Sequence, residues 1–384
     1  MNFDPTEEQQ LLAASIARFV ERDYTFEARR AIVASPQGWS SDVWRTMADM
    51  GLLGLTLPAE HGGFGGGAMD AMALMEAIGS ALIVEPWLST VALGARLVAA
   101  AGTDVQKQRL LPSVAEGSRT MAFAHAEDGA RHSLAHVAAR AVATGDGFVL
   151  NGTKRAVANA HAADTLVISA RTEGERGARD GIGLFLVDRG ATGMSTHALR
   201  MLDGTRAADV ALVDVHVSRD ACVGAPGDAL PLIEATIDFA TALVCAEAAG
   251  AIGAANDATL EYLKTRKQFG VAIGTFQALQ HRMVDLAIEL EQVKSMASLA
   301  CAAVDSKQDP ENRGRVVSAA KVRIADACRR VSQESVQLHG GMGMSDELKI
   351  SHTFRRLTAL AQQFGDADHH LARLAALDRQ DETT

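Results

Sequence analysis

Apolar residues recur at helical spacing in two blocks of this chain and at strand spacing in the block between them. In the first block Leu11, Leu12, Ile16, Phe19 and Val20 fall on one helical face. Thr6 and Gln9 stand three apart just before them, the spacing of a capping box. Ser41 precedes a second amphipathic run, Val43 to Met50, which stops at Gly51. Met69 to Gly79 and Thr90 to Ala101 read as helices. So does Val105 to Glu116, opened by Thr103-Asp104 and carrying Pro112 inside. Leu52 to Leu57 is a short apolar run ended by Pro58. The glycine-rich stretch from His61 to Gly67 is expected as a connector, because no strand precedes it and no Lys-Ser/Thr follows it, as a phosphate-binding loop requires.

After Gly117 the period changes to two. The predicted strands are Thr120 to His125, Val137 to Ala143, Phe148 to Leu150, Leu166 to Ala170, Ile182 to Val187 and Asp209 to Val217. Gly145-Asp-Gly147, Asp180-Gly181 and Asp203-Gly204 punctuate them, and the charged segment Glu173 to Asp180 is expected at an exposed hairpin tip. From about Ala229 the helical period returns, over Pro231 to Leu263, Gln277 to Val304, Gly314 to Gly340, Ile350 to Gln363 and Asp366 to Leu377, with a polar loop at Asp305 to Arg313. The expected organisation is three domains: helical over 1–119, β over 120–228 and a helical bundle over 229–384.

Composition narrows this picture. Hydrophobic residues make up 48% of the 384 positions but aromatics only 4%, so the core is built of Ala, Leu and Val, which favours helix. The net charge of −10 argues against nucleic acid and anionic membranes as partners. Cys222, Cys245, Cys301 and Cys328 are scattered without ligand spacing, as expected of buried thiols in a reducing compartment. Met1 to Gln10 has neither the basic nor the apolar region of a secretory signal, and no apolar run of membrane-spanning length is evident. A soluble, cytoplasmic protein is the expectation.

Three stretches carry candidate chemistry. In Tyr262 to His281, three cations (Lys264, Arg266, Lys267) sit at a helix end, followed by Gly270 and Gly274 and then by Gln277, Gln280 and His281 on one helical face. Arginine there suits a phosphate, which its fork can bind bidentately; a solvated basic turn is the alternative. In Gln337-Leu-His-Gly-Gly-Met-Gly343, three glycines in four residues exceed what a helix cap needs, and they would let backbone amides approach a ligand. In Phe364 to His370, Asp366, Asp368, His369 and His370 are too close in sequence to converge on one ion from a helix. No metal is expected, and Asp366 fits a helix cap.

Taken together the chain resembles the acyl-CoA dehydrogenase family of flavoproteins over nearly its whole length. The segments that carry the resemblance are FDPTEEQQLL, LGLTLPAEHGGFGGG, YLKTRKQFGVAIGTFQALQHRMVDL and VQLHGGMGMSDE. Within the family it is most similar to the small subunit of bacterial pimeloyl-CoA dehydrogenases, through FAHAE, GIGLFLVD, CAEAAGAIGAA and FGDADHHLARL. The resemblance implies an N-terminal helical domain, a central β-barrel-like domain and a C-terminal four-helix bundle, with FAD between the last two. It implies a homodimer or homotetramer, or a heteromer with a larger subunit. It assigns Arg266 to the FAD pyrophosphate, and Phe269, Gln277, Gln337, Leu338, His339, Gly340 and Gly341 to the rest of the FAD site. The implied reaction is α,β-dehydrogenation of an acyl-CoA thioester, including a dicarboxylyl-CoA such as pimeloyl-CoA. A carboxylate removes the α-proton, the flavin takes the β-hydride, and electrons pass to an electron-transfer flavoprotein.

The sequence departs from the family where the chemistry happens. The family's catalytic Glu falls on Gly365, and its second known position, on the first bundle helix, falls on Ala240. Glu247, two turns further along, is the first candidate base, with a structural pair to an arginine as the alternative. Asp366 is the second candidate. The third reading is a non-catalytic or FAD-scaffolding subunit whose partner supplies the base; a flavin oxidase or monooxygenase on the same fold is a weaker one. Ala126 and Lys154-Arg-Ala-Val-Ala-Asn159 lose a hydroxyl, a Trp and a Thr that the family turns toward the flavin, so contacts must be rebuilt, with Phe123, His125 or backbone amides as substitutes. Arg131 and Arg155 are weak candidates for a distal carboxylate.

Overall fold

The computed structural model describes residues 6–306 and 309–381. Met1 to Pro5 of the opening segment, and residues 307–308 of the predicted loop at 305–313, lie outside the described residues.

The helices of the first block are α1 (Glu7–Asp23), α2 (Phe26–Ala34), α3 (Ser41–Asp49), α4 (Ala68–Ala81), α5 (Arg96–Ala101) and α6 (Asp104–Ala115). The predicted capping box forms at Thr6 and Gln9, and a second, not predicted, forms at Thr103 and Gln106: each Thr hydroxyl accepts from the Gln backbone amide, and each Gln side chain reaches back to the cap. Helix α3 is capped by Ser40 rather than Ser41. The predicted helix Thr90 to Ala101 is regular only in its second half. Leu88–Ala95 is a π-helix, pinned by the Thr90 hydroxyl, which both donates to the Met121 carbonyl and accepts from the Met121 amide at 3.2 Å.

The strands are β1 (Met121–Ala124), β2 (Arg140–Ala143), β3 (Gly147–Ala158), β4 (Thr165–Arg171), β5 (Ile182–Asp188), β6 (Met194–Arg200), β7 (Arg206–Ser218) and β8 (Cys222–Val223). They form one mixed sheet in the order β6-β7-β3-β2-β4-β5-β8, with β1 parallel to β4. Strand β2 starts later than predicted because the Glu127 carboxylate takes the amides of Ala138 and Ala139, which a ladder would otherwise use. Strand β6 was not predicted; it is exposed along most of its length and has no apolar alternation. Ala122, Ala124, Leu150, Leu166, Ile168, Phe185 and Val187 belong to the core of the sheet, while Phe123 points to the opposite face of β1.

The second helical block holds α7 (Leu230–Thr265), a two-stranded hairpin of β9 (Lys267–Gln268) and β10 (Val271–Ala272), α8 (Gln277–Asp305), α9 (Pro310–His339), α10 (Lys349–Gln362) and α11 (Ala367–Asp381). Helix α7 has the length and apolar character of a membrane span, longer than the sequence reading allowed, but 78% of its most apolar window is buried inside the fold, as in a core helix.

The chain forms two compact units. One comprises residues 32–67 and 85–240 and contains the eight-stranded sheet; the other comprises residues 1–31, 68–84 and 241–384 and contains the bundle. In the bundle unit α4 and α7 touch backbone to backbone. A Cβ on Gly79 would lie 1.9 Å from the Glu247 carbonyl, and one on Gly250 would lie 1.9 Å from that of Glu76, so only glycine permits the crossing. Lys321 of α9 is fully buried and donates to the carbonyls of Leu360 (2.5 Å) and Ala361 (3.2 Å), closing the end of α10.

Candidate active site

The basic stretch that ends α7 becomes a tight hairpin. Phe269 and Gly270 both have positive φ (54° and 84°), the signature of a two-residue type I′ turn. Phe269 sits at its tip, 92% exposed, with only an edge-to-face contact to Phe276. Arg266 is exposed and its guanidinium has no acidic or hydrogen-bonded partner among the described residues, whereas Lys264 is tied to Glu261 at 2.7 Å. Gln277 opens α8, exposed and with no side-chain hydrogen bond among the described residues; Gln280 is spent on the Gly274 carbonyl. Beside the hairpin lies a cavity of about 420 Å³, lined by Leu260, Leu263, Lys264, Gly274 and Met283 among others.

The glycine turn after α9 is presented in the same way. Gln337, Gly340 and Gly341 are exposed, and a Cβ on either glycine would meet nothing within 4 Å. Leu338 and His339 point inward and anchor the turn. The His339 ring stacks on Tyr262 at 4.4 Å, which ties the turn to the end of α7. Its Nδ1 faces the Ser335 carbonyl at 2.8 Å, and since a carbonyl only accepts, Nδ1 carries the proton; burial holds the ring's pKa below its usual value. An uncommitted guanidinium, an open glycine turn that a ligand can approach closely and an exposed aromatic fit a dinucleotide with a pyrophosphate and a flat ring system.

The candidate bases are placed quite differently. Glu247 is 2% exposed and is held by Arg356 of α10 through two bonds, Nε to Oε1 at 2.6 Å and NH2 to Oε2 at 2.8 Å. Both carboxylate oxygens are occupied, the structural alternative read from the sequence. Asp366 accepts the His369 amide at 2.8 Å and so caps α11. Gly365 has φ 122°, and a Cβ there would stand 2.5 Å from His369 Cδ2 and 2.7 Å from His370 Nε2. The His370 ring is locked: Nε2 meets the Phe364 carbonyl and Nδ1 the Ser318 hydroxyl, each at 3.2 Å. Burial pushes its pKa down to about 3, so it is neutral, with Nε2–H donating to the carbonyl. No side chain fits at 365 without moving both histidines. Among the described residues no group of His, Cys, Asp and Glu is arranged to hold a metal.

In the sheet unit Lys154 is fully buried, donating from Nζ to Glu127 Oε1 at 2.6 Å, to Ser169 Oγ at 3.0 Å and to the His125 carbonyl at 3.3 Å. Burial lowers its pKa to about 8 against the pull of Glu127. His125 stacks on Phe123 at 5.3 Å. Arg155 is committed to Asp128 and Asp209, so it is not free to meet a substrate carboxylate. Sequence reasoning named Lys154 and Glu127 only as motif positions and missed Ser169, because nothing local in the sequence separates these buried polar residues from the many exposed ones in the β block.

Comparison with known proteins agrees with this geometry. The models of the acyl-CoA dehydrogenase N-terminal, middle and C-terminal domains match residues 6–118, 122–216 and 229–376. The chain is 30% identical to the caffeyl-CoA reductase–Etf complex subunit CarC of Acetobacterium woodii, over 91% of this chain and 92% of that one. It superposes on a solved structure of a variant of the Tcur3481-Tcur3483 steroid ACAD with a TM-score of 0.88 at 30% identity, covering 98% of this chain and 99% of the other. On the ChsE4-ChsE5 complex from Mycobacterium tuberculosis the TM-score is 0.86 at 27% identity, with 98% of each chain covered. The chain therefore belongs to the acyl-CoA dehydrogenase family of FAD-dependent oxidoreductases.

Proposed function

We propose that this chain is the FAD-carrying subunit of a heteromeric acyl-CoA dehydrogenase, whose α,β-dehydrogenation of a thioester uses a carboxylate supplied by a partner chain. The observation that carries this reading is Gly365. The family's base position has no side chain, and His369 and His370 fill the space one would need. The two neighbouring carboxylates are already engaged, Asp366 as a helix cap and Glu247 by Arg356.

Arg266, with Phe269, Gln277, Gln337 and the open Gly340–Gly341 turn, would hold FAD, and Leu338 and His339 would fix that turn. When bound, FAD accepts the two electrons released by oxidation of the carbon–carbon bond. The pairs of chain names in Tcur3481-Tcur3483 and ChsE4-ChsE5 lend support to a two-chain assembly, and the Etf complex of CarC lends support to an electron-transfer flavoprotein as acceptor.

The test is anaerobic titration of the purified, FAD-loaded chain with acyl-CoA thioesters, alone and with candidate partners. The expected result is bound flavin that is not bleached until the partner is added. Bleaching of the chain alone would overturn the reading. If Glu247→Gln then abolished that bleaching while flavin stayed bound, Glu247 would be the base, released from Arg356 during turnover.

A further inference from the structure

Helix α8 has two faces, and the bundle uses only one of them. Leu286, Val293, Ala297, Ala300 and Cys301 point inward and are fully buried. The opposite face carries His281, Val284, Ile288, Glu291 and Ser295, every one of them exposed. These positions follow one another at steps of three and four, the heptad spacing that keeps one stripe of a helix turned toward a second helix. Val284 is 57% exposed and Ile288 51%, so two β-branched side chains stand next to each other in water at the middle of the stripe. One exposed aliphatic is ordinary on a protein surface. A heptad stripe centred on two of them is the pattern of a helix that pairs with another.

We infer that α8 pairs antiparallel with α8 of a second copy of this chain, about a twofold axis that passes between Val284 and Ile288. A twofold contact joins one patch to itself, so the patch must be complementary to its own image. With the axis at this place, residues equally far from Leu286 on either side face each other. Val284 of each copy meets Ile288 of the other, and His281 of each copy meets Glu291 of the other. Two aliphatic layers form the centre, and an imidazole N–H facing a carboxylate closes each end. A parallel pair would instead set Glu291 against Glu291 and bring like charges together. Lys294 donates to Glu291 Oε1 at 3.2 Å, and Oε2, which takes no hydrogen bond among the described residues, can accept from the histidine. The flanking positions do not oppose the approach. Ala278 and Ala287 are small, and Asp285 enters with its counter-ion, Arg330, already at 3.0 Å. Such self-complementarity belongs to like meeting like; a contact built for an unlike chain does not require it.

The test is sedimentation of the full chain alone at micromolar concentrations, with circular dichroism as the control for the fold. The native chain is expected at twice the mass of one chain, or at a larger even multiple. Val284→Glu and Ile288→Lys each set a charge against an aliphatic side chain across the axis, and each should weaken self-association about tenfold or more. Mixing the two single variants should restore it, because the introduced carboxylate of one then faces the introduced ammonium of the other while the second central layer stays native. A native chain that remains monomeric overturns the inference, as do single variants that leave its mass unchanged. A mixture no more associated than its components overturns it too, since only the antiparallel register brings positions 284 and 288 together. The contact needs neither FAD nor a thioester nor the chain that supplies the base. Bleaching of the isolated chain by an acyl-CoA would therefore break the proposed function and leave this inference standing.

Discussion

Two regions of the bundle unit hold the residues that matter, and they differ in how their polar groups are spent. Around Arg266 and Gly340 the chain leaves the Arg266 guanidinium and the Gln277 and Gln337 side-chain amides exposed without partners among the described residues, beside two glycines with open space where a Cβ would stand. Around Glu247 and Gly365 every polar group in view is satisfied inside the fold: Glu247 by Arg356, Asp366 by the α11 amide, His370 by Phe364 and Ser318. Folding alone explains the second region and fails to explain the first. Unspent groups on rigid elements suit a ligand site; fully spent ones suit architecture.

The sharpest way to break this contrast is Arg356→Met. Glu247 would keep its buried charge and lose both donors, at a cost of about 3–5 kcal/mol in chemical denaturation. Adding Glu247→Leu should recover much of it, because the buried carboxylate goes too. A loss below about 1 kcal/mol would mean that Glu247 is not structurally committed and would return it to contention as a base.

Next in size is Gly365→Ala. Positive φ and a Cβ set against two histidine rings together make the expected loss about 2–4 kcal/mol, read as a lower denaturation midpoint. Gly365→Glu, which restores the family's residue, should be at least as costly and should not confer bleaching on the isolated chain. A stable and active Gly365→Glu protein would show that the pocket is merely vacated rather than closed.

The buried histidines give a pH signature in both units. His125 and His370 are each pushed from 6.5 to about 3 by burial, so the unfolded chain binds their protons first as pH falls. Their contribution is fully present above pH 6.5 and is lost as pH drops from 6.5 toward 3, at about 1.4 kcal/mol per pH unit for each ring. His370→Asn should flatten that slope by about half of the two-histidine contribution in denaturation curves taken across this range.

How far the sequence could be read follows the same division. The first capping box, the helical faces and most strands were legible because their signals are local: Thr6 with Gln9, and the short, largely apolar runs that form β4 and β5. The π-helix at Leu88 was hidden because its apolar spacing passes for an α-helix. Strand β6 was hidden because it is exposed on both faces, and the Phe269 turn because phenylalanine at positive φ has no sequence signature. The exposed polar cluster around Arg266 was legible because its residues are close in sequence. The state of Glu247 was not, since its partner lies 109 residues away, and neither was the buried hydrogen-bonded group of Lys154, Glu127 and Ser169, brought together from separate parts of the sheet unit.

The smallest stability effect is the most telling about the ligand site. Arg266→Gln removes an exposed charge that has no ion-pair partner among the described residues, so the free chain should change by no more than about 0.5 kcal/mol. FAD affinity should nevertheless fall about tenfold or more, because a charge-assisted hydrogen bond to phosphate is worth about 1.5–3 kcal/mol. Rising salt should weaken FAD binding to the native chain and affect the variant less, since the lost term is the screened one. Lys264→Gln is the matched control: Glu261 already holds that cation, so its effect on FAD should be small. Equal losses for the two variants would mean that the exposed cations act only as a diffuse field, and the distinction between spent and unspent groups would fail at the place it is clearest.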